Sequence, residues 1–362
     1  MDSLAGAAAV FARDGSSDDY RVLDLLTSLA DKSLLTVRLG VTTRYSLLET
    51  IREFATKEVA DHRETSQAAA RHAEHFAAVA AQAYREFDSR VPPGWLDRLV
   101  PDIDNFRAAL EWTLEGSGDR RAGAQLAADC GPIFLRMGLL SEGLRWCDRA
   151  LSVADVPPAT TGRIEYVTSM MHNNALAYGR ALDAAQRAVE KYRVSADERG
   201  LIRALSQTAH QFARSSRFDE AKAPAAEAIR RARDCGDPNV LVAVLRRCAA
   251  SLPREAIAQA RELFDEALTT AQNMQRPDEL CHVLQWWASS EGAAGCYDRA
   301  IELLQTALGS ADTDVQTYIE SDIACCALAS DSIEKAEPHA RRALTLALGA
   351  RHPVLTVLAI AY

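Results

Sequence analysis

The chain has 362 residues, of which 48% are hydrophobic and 25% are charged, and its formal net charge is −9. An acidic balance disfavours a nucleic-acid-binding surface, because contacts to phosphates need clustered lysine and arginine. The apolar runs fall far short of the roughly 20 residues that a membrane helix needs. We therefore expect a protein that neither spans a membrane nor offers a basic surface to DNA.

Eight cysteines are present, and no two of them form a Cys-x-x-Cys motif. Their spacing argues against a zinc or thiol-disulfide centre. The N-terminus carries Asp2 and no basic segment, which argues against a signal peptide. We therefore expect a reducing, cytoplasmic location, with no metal and no cofactor.

Residues 1–66 predict a small domain with the element order of a winged helix. Helical spacing over residues 22–30 is followed by two strand-like segments, 34–39 and 44–48. A helix then resumes over residues 49–60. A helix, a two-stranded hairpin and a second helix follow one another in this way in a winged helix.

The first predicted helices of this domain do not have the basic charge of a DNA-binding helix. An alanine-rich helix at the N-terminus is predicted to end at Gly15. Residues 22–32 stand where a winged helix carries its recognition helix, but they include Asp24 and Asp31 and little basic charge. Lysine and arginine contact DNA phosphates, so we do not expect this chain to bind DNA.

Several stretches in residues 20–150 resemble one known class of proteins. The matching segments are residues 29–35, 44–55, 71–76, 95–99 and 102–112. They resemble the winged helix, and the region after it, of signal-transduction ATPases with numerous domains (the STAND class), many of which are large bacterial transcriptional regulators. The resemblance implies that residues 67–118, with two predicted helices at 67–90 and 95–115, couple a nucleotide-binding core to helical sensor repeats.

The nucleotide-binding core of that class has no counterpart in this sequence. A phosphate cradle needs Gly-x-x-x-x-Gly-Lys-Ser/Thr, and no such stretch occurs. The resemblance also implies a Met-His-Asp motif whose histidine senses the bound diphosphate, and Leu47, Leu48 and Glu49 stand at the matching positions. Leucine cannot donate a hydrogen bond to phosphate, so we expect the NTPase chemistry to lie outside this chain.

Two residue pairs in the coupling region could suggest a site. His72 and His75 lie three residues apart on one predicted helix, a spacing that can chelate a metal, but no cysteine or carboxylate stands at ligand spacing. We expect them to form a polar helix face. Asp102 and Asp104 could suggest an acid pair, but we expect them to be helix N-terminal acids, which the macrodipole favours.

Residues 119–362 are dominated by a pattern that recurs every 36 to 40 residues. A large apolar anchor is followed by a small residue three positions later and by alanine ten positions later. The six anchors are Leu140, Tyr178, Phe218, Ile257, Tyr297 and Ile333. These offsets lie on one helix face, and another column of small residues, nine positions before each anchor, belongs to a preceding helix. Each unit is therefore predicted to be a helix, a tight turn and a second helix.

These units resemble the tetratricopeptide repeat, whose usual period is about 34 residues. One helical hairpin cannot bury its apolar face alone, whereas stacked neighbours can. The predicted fold class is all-α: a winged helix with a short β-hairpin, then an α-α superhelix of about six tetratricopeptide-like repeats, truncated in a seventh. A generic alanine-rich α-solenoid is the alternative. Arg247 stands where the family has a core leucine, which leaves the register of the fourth repeat open.

The first helix of each repeat is expected to line an inner groove, which is the best candidate binding site. Two columns there, 15 and 11 positions before each anchor, hold large polar and aromatic side chains. From these columns we select Arg163, Arg203, Gln207, Arg246, His282, Trp286 and Tyr318. Arginine and tryptophan are enriched in interfaces, and the arginines could pair with an acidic peptide or an anionic ligand. A merely solvated face is the alternative.

Trp286 and Trp287 are expected to differ in burial. Adjacent residues on a helix point about 100° apart, so the two rings cannot both face the core. Trp287 falls on a column predicted to be buried, and Trp286 falls on a groove column.

Two functions remain open at this point. In the first, the chain is a non-catalytic sensor region of a STAND-like regulator and binds a protein, a peptide or a small inducer. In the second, it is a free-standing scaffold that assembles partners or self-associates through its apolar C-terminal end, residues 354–360. An enzyme is not expected, because no nucleophile stands beside a base at a recognisable spacing.

Overall fold

The computed structural model describes residues 2–11, 19–39, 43–58, 62–89, 91–92, 94–309, 311 and 313–349. In this part of the chain every element is helical except three short strands, which confirms the predicted all-α class. None of the helices in these ranges is long and apolar enough to cross a membrane. The chain divides into two compact units, residues 1–177 and 178–362. The domain boundaries predicted after residues 66 and 118 stay predictions.

The first unit begins with a small sheet and short helices, continues with one long helix and then enters the repeats. Its elements are β1 (Asp2–Ser3), α1 (Leu4–Phe11), α2 (Asp19–Asp31), β2 (Leu35–Arg38), β3 (Arg44–Leu47), α3 (Glu49–Glu58), α4 (His62–Ser89), α5 (Trp95–Leu99), α6 (Ile103–Leu110), α7 (Arg120–Arg136), α8 (Leu140–Leu151) and α9 (Pro158–Asn174). A 3-10 turn (Val100–Asp102) precedes α6, and a π-helical turn (Glu111–Glu115) follows it.

The three strands form one antiparallel sheet in the order β1-β3-β2. In the hairpin of β2 and β3, Leu35 lies opposite Leu47 and Arg38 lies opposite Arg44, so the predicted order of helix, hairpin and helix is observed. β1, which pairs with β3, was not predicted, because two residues are too few to show an alternating pattern. The helix end predicted at Gly15 lies outside the described residues.

The long helix α4 packs against α1, α6 and α7 to form the core of the first unit. Phe76 and Phe106 are buried there, and their rings meet edge to face with centroids 5.7 Å apart. The indole Nε1 of the buried Trp95 donates to the carbonyl oxygen of Ala83 at 3.2 Å. The single helix predicted over residues 95–115 is broken after α5, since Pro101 has no N–H to continue the ladder.

The second unit is built of helical pairs. Its elements are α10 (Tyr178–Ser195), α11 (Glu198–Arg214), α12 (Phe218–Asp234), α13 (Pro238–Ala249), a 3-10 turn (Arg254–Ala256), α14 (Ile257–Asn273), α15 (Pro277–Ala293), α16 (Tyr297–Leu308), α17 (Thr313–Ala329) and α18 (Ile333–Gly349). Each of the six predicted anchors is the first residue of a helix. The predicted hairpin is confirmed for the pairs that lie within one unit, which are α7–α8, α11–α12, α13–α14, α15–α16 and α17–α18.

Small residues sit where the helices approach one another most closely. The alanines ten positions after the anchors are all buried, with at most 1% of their surface exposed, from Ala150 to Ala343. On α7, a Cβ atom built at Gly131 would lie 2.6 Å from Cγ1 of Val167 on α9. The helices can therefore reach this separation only because the side chains in these columns are small.

One turn geometry recurs inside the pairs. Two positions before the anchor, the backbone has a left-handed φ between 57° and 81° at Gly138, Leu176, Ser216, Gly295 and Asp331. The fourth repeat differs, because seven residues, the last three of them a 3-10 turn, separate α13 from α14. Its first helix is nevertheless in register: Leu245 and Cys248 are buried. Arg247 reaches across to α11, where its Nη1 donates to Oγ of Ser206 at 3.2 Å.

Candidate functional site

Five of the seven side chains selected from the sequence lie on three first helices of the second unit that pack side by side. They are Arg203 and Gln207 on α11, Arg246 on α13, and His282 and Trp286 on α15. Gln207 is buried, with 3% of its surface exposed, and the other four are partly exposed. Neighbouring first helices therefore do present basic and aromatic side chains together, whereas Gln207 does not offer its amide to solvent.

The two remaining selected residues lie elsewhere. Tyr318 is on α17 and is 42% exposed. Arg163 is on α9 in the first unit, where it pairs with the carboxylate of Asp129 and its guanidinium lies 3.9 Å from the ring centroid of Tyr84. Asp129 also accepts a hydrogen bond of 3.0 Å from Gln125, so the protein itself already supplies an anionic partner for Arg163.

The adjacent tryptophans differ in burial, as predicted. Trp287 is 4% exposed, and its ring stacks on that of Phe264 with centroids 5.6 Å apart and an interplanar angle of 7°. Its Nε1 donates to Oε1 of Glu291 at 2.8 Å. Trp286 is partly exposed, as is His282 one turn earlier on α15. Trp287 is therefore a core residue, whereas Trp286 packs against the core and remains partly exposed.

Trp286 is the centre of a group of four side chains, which we call the Trp286 cluster: His210, Arg246, Glu279 and Trp286. The guanidinium carbon of Arg246 lies 5.4 Å from the centroid of the Trp286 ring, within the range of a cation–π contact. The imidazole ring of His210 lies 5.6 Å from the same ring, tilted by 49°. Nη1 of Arg246 is 3.9 Å from Oε2 of Glu279.

Two members of this cluster, Glu279 and His210, were not among the residues selected from the sequence, and His210 is the one that a further column would have found. It follows Gln207 by three residues, so a third column, eight positions before each anchor, would have placed it on the same helix face. Its Nδ1 is buried and has no hydrogen-bond partner among the described residues. Burial, and then the positive charges of Arg247 and Arg214, lower the pKa of His210 to about 3. The imidazole is therefore neutral at pH 7 and lies in a positive potential.

In the first unit, two ion pairs connect the hairpin, α6 and the first repeat. Arg44 on β3 pairs with Asp102, whose Oδ1 also accepts from Nδ2 of Asn105 at 3.1 Å. On α6, Nε and Nη2 of Arg107 donate to the two carboxylate oxygens of Glu142 on α8, each at 2.7 Å. These hydrogen bonds hold the pKa of Glu142 below its ordinary value. Each end of α6 is thus fixed to a different part of the unit.

The two acids at the start of α6 stand where they were predicted, but their partners were not foreseen. The side chain of Asp102 makes no capping hydrogen bond and instead pairs with Arg44, with only 12% of the carboxylate side chain exposed. Asp104 pairs with Arg107 at 2.8 Å. The helix macrodipole favours both acids at this end, and Asp102 in addition holds the hairpin.

His72 and His75 both pack around one aromatic ring. Their centroids lie 4.7 Å and 4.9 Å from that of Phe76. The part of the chain that the structure describes contains no group of three or more His, Cys, Asp or Glu side chains placed to hold a metal ion.

The chain is similar to part of much longer proteins. Two proteins named "Putative HTH-type transcriptional regulator", from Mycobacterium bovis and Mycobacterium tuberculosis, are each 30% identical to it over 285 residues. The match covers 78% of this chain and 28% of each relative, so the chain spans less than a third of their length. No protein-family model matches the chain.

Solved structures share its helical-repeat fold. The apo form of RapI has a TM-score of 0.55 at 15% identity and covers 76% of this chain and 98% of its own. Aspartyl phosphate phosphatase F from Bacillus subtilis has a TM-score of 0.56 at 13% identity, covering 93% and 82%. A Rap protein complexed with competence and sporulation factor has a TM-score of 0.50 at 11% identity, covering 86% and 88%. At these identities the likeness concerns the fold alone, that of tetratricopeptide-like repeats.

Proposed function

We propose that this chain is the non-catalytic regulatory and sensor region of a STAND-like transcriptional regulator. The similarity to part of HTH-type regulators supports this proposal, because it gives such a region a longer protein in which to act. The NTPase module and a DNA-binding module would then belong to other parts of that protein. A cytoplasmic location follows from the same proposal.

The observation that carries the sensor role is the Trp286 cluster. Three neighbouring first helices bring a partly exposed indole, a guanidinium and an imidazole to one surface. Tryptophan and arginine supply much of the energy at binding interfaces. A protein, a peptide or a small inducer would bind there, and one protein of similar fold, a Rap protein, has been solved in complex with competence and sporulation factor.

A sensor must also transmit its signal. We place the transmission in the first unit, through the Arg107–Glu142 and Arg44–Asp102 pairs, because they fix α6 both to the first repeat and to the hairpin. The ligand can shift this arrangement only if it binds two states of the chain with different affinity. These ion pairs are partly buried, so breaking one has a cost in free energy, and the paired and broken arrangements of α6 are distinct states.

The first test is isothermal titration of the whole chain with ATP and ADP. We expect no binding, because the sequence has no phosphate cradle. Micromolar binding of either nucleotide would contradict the placement of the NTPase chemistry outside this chain.

The second test is a thermal-shift screen with peptide and metabolite pools. A hit that acts through the Trp286 cluster should lose its shift in Arg246→Gln. It should keep the shift in Arg230→Gln, a control on α12 whose side chain is 62% exposed. Equal loss in both variants would argue against the cluster as the binding site.

The third test follows hydrogen exchange in the hairpin while a hit from that screen is bound. The ligand should change exchange in residues 35–47 of the wild-type chain. Asp102→Asn should abolish this change while the ligand still binds, and the control Asp97→Asn, at an exposed carboxylate on α5, should preserve it. An unchanged response in Asp102→Asn would exclude the proposed route.

The alternative function is a scaffold that self-associates through residues 354–360, which lie outside the described residues. One observation on the helix before them favours it. Ile333 and Leu348 on α18 are 70% and 58% exposed, and exposed apolar side chains can mark an interaction surface. Light scattering after size exclusion would separate the two functions. A mass that rises with concentration and falls in Ile333→Ser would support the scaffold, and a constant monomeric mass would favour the sensor.

A further inference from the structure

The Trp286 cluster lies in a positive region of a chain whose net charge is −9. Arg246 belongs to the cluster, and Arg214 and Arg247 are close enough to His210 to lower its pKa. Glu279, 3.9 Å from Arg246, supplies one negative charge against these three positive ones. An anion placed beside His210 would therefore be stabilised by charges that the fold already holds in position.

His210 indicates where such an anion would bind. A buried nitrogen without a hydrogen-bond partner is uncommon, because leaving it unpaired costs stability. Nδ1 of His210 is in this condition among the described residues, although the residue as a whole is partly exposed. A ligand group beside His210 would supply the hydrogen-bond partner that Nδ1 lacks among the described residues.

The chemistry of the neighbours determines what kind of group fits. A neutral imidazole can turn an N–H toward an acceptor, and the surrounding arginines favour an acceptor that carries negative charge. A guanidinium matches the two oxygens of a carboxylate. The indole of Trp286 adds an apolar surface for the part of the ligand that bears the charge.

We propose that the Trp286 cluster is a binding site for a carboxylate, with His210 and Arg246 as donors and Trp286 as the surface on which the rest of the ligand lies. The carboxylate belongs either to an acidic peptide or to a small organic acid. This inference rests on the proposed sensor function and specifies its ligand chemistry.

The test uses the whole chain and two pairs of probes. One pair is a capped hexapeptide of aspartate and glutamate and its counterpart in asparagine and glutamine; the other is benzoate and benzamide. Binding is followed by tryptophan fluorescence and by the imidazole ¹⁵N shifts of labelled histidine. We expect at least one acidic probe to bind, to move the His210 signal, and to exceed its amide by about tenfold or more, which corresponds to about 1.4 kcal/mol. The pair that responds distinguishes a peptide from a small acid.

Variants locate the binding. Arg246→Gln should weaken the acidic probe about tenfold, His210→Gln severalfold, and the control Arg230→Gln less than twofold. Arg246→Lys keeps the positive charge but loses the planar guanidinium that can donate two hydrogen bonds to a carboxylate. An intermediate loss of affinity in this variant shows that the folded site, rather than misfolding, is being measured.

The possible negative results are distinct. An amide that binds as well as its acid, or a loss in Arg246→Gln no larger than in Arg230→Gln, overturns the carboxylate site and leaves ligand binding by the repeats in place. Failure of both acidic probes at millimolar concentration also overturns the carboxylate site. The pooled screen then decides the sensor function independently.

Discussion

Glu291 on α15 is a buried carboxylate whose replacement should measurably loosen the second unit. It is 0% exposed, and its two oxygens accept from Nε and Nη2 of Arg261 on α14, each at 2.7 Å. Nε1 of Trp287 donates to it at 2.8 Å. Burial acts to raise the pKa of Glu291, but the hydrogen bonds from Arg261 and Trp287 and the charge of Arg261 lower it overall. The group is therefore ionised at pH 7 and joins two helices.

The loss of stability in Glu291→Gln can be estimated from the contacts that the glutamine side chain keeps. The amide oxygen can still accept from Trp287, so the loss falls on the charged contact with Arg261. Hydrogen bonds to charged groups contribute about 1.5–3 kcal/mol. Removing one partner of a fully buried pair costs about 3–5 kcal/mol, but the side chain of Arg261 is 43% exposed and can regain water. We expect a loss of about 2 kcal/mol in the free energy of unfolding.

The assay is urea unfolding followed by tryptophan fluorescence, together with hydrogen exchange across α14–α16. Exchange is needed because a long repeat array does not always unfold in one step. The matched control is Glu302→Gln, whose side chain is 65% exposed and pairs with Arg299 at 3.0 Å; it should cost less than about 0.5 kcal/mol. If Glu291→Gln were no more destabilising than this control, the argument from burial would be refuted.

Three further outcomes are expected. Gly131→Ala should destabilise the fold by about 1–3 kcal/mol, because its Cβ would lie 2.6 Å from Val167. The control Gly179→Ala, whose Cβ would have nothing within 4 Å, should be neutral or stabilising, and thermal denaturation measures both. Leu176→Gly should stabilise by about 1 kcal/mol, since it relieves a φ of 57° in a residue with a Cβ; a lower midpoint than wild type would contradict this. The pKa of His210 is lowered to about 3, so below about pH 6.5 the unfolded chain binds a proton that the folded chain does not. The free energy of unfolding should therefore decrease as the pH is lowered, by up to about 1.4 kcal/mol per pH unit. His210→Gln should flatten urea midpoints measured from pH 7 to 4.5 relative to wild type, and parallel curves would exclude this role.

The repeats could be predicted from the sequence because their spacing is imposed by helix geometry. A helix that packs on two neighbours needs small residues at fixed offsets, which is why Ala150 and its counterparts are buried and why Leu140 and the other anchors begin their helices. The same periodicity predicted that Arg246 and Trp286 fall in one column, which is partly exposed, and that Trp287 is buried. These features depend on residues within one or two turns of each other, so the local sequence determines them.

What joins different helices was decided by the tertiary structure. The left-handed turn position is occupied by Gly138 and Gly295 but also by Leu176, so no residue type marks it, and the packed helices on either side hold it in place. His210 meets Trp286 only because α11, α13 and α15 pack side by side. Likewise Arg44 meets Asp102 across 58 residues of chain. Such contacts depend on the relative placement of whole helices, which the combined packing of many buried side chains determines and no local pattern records.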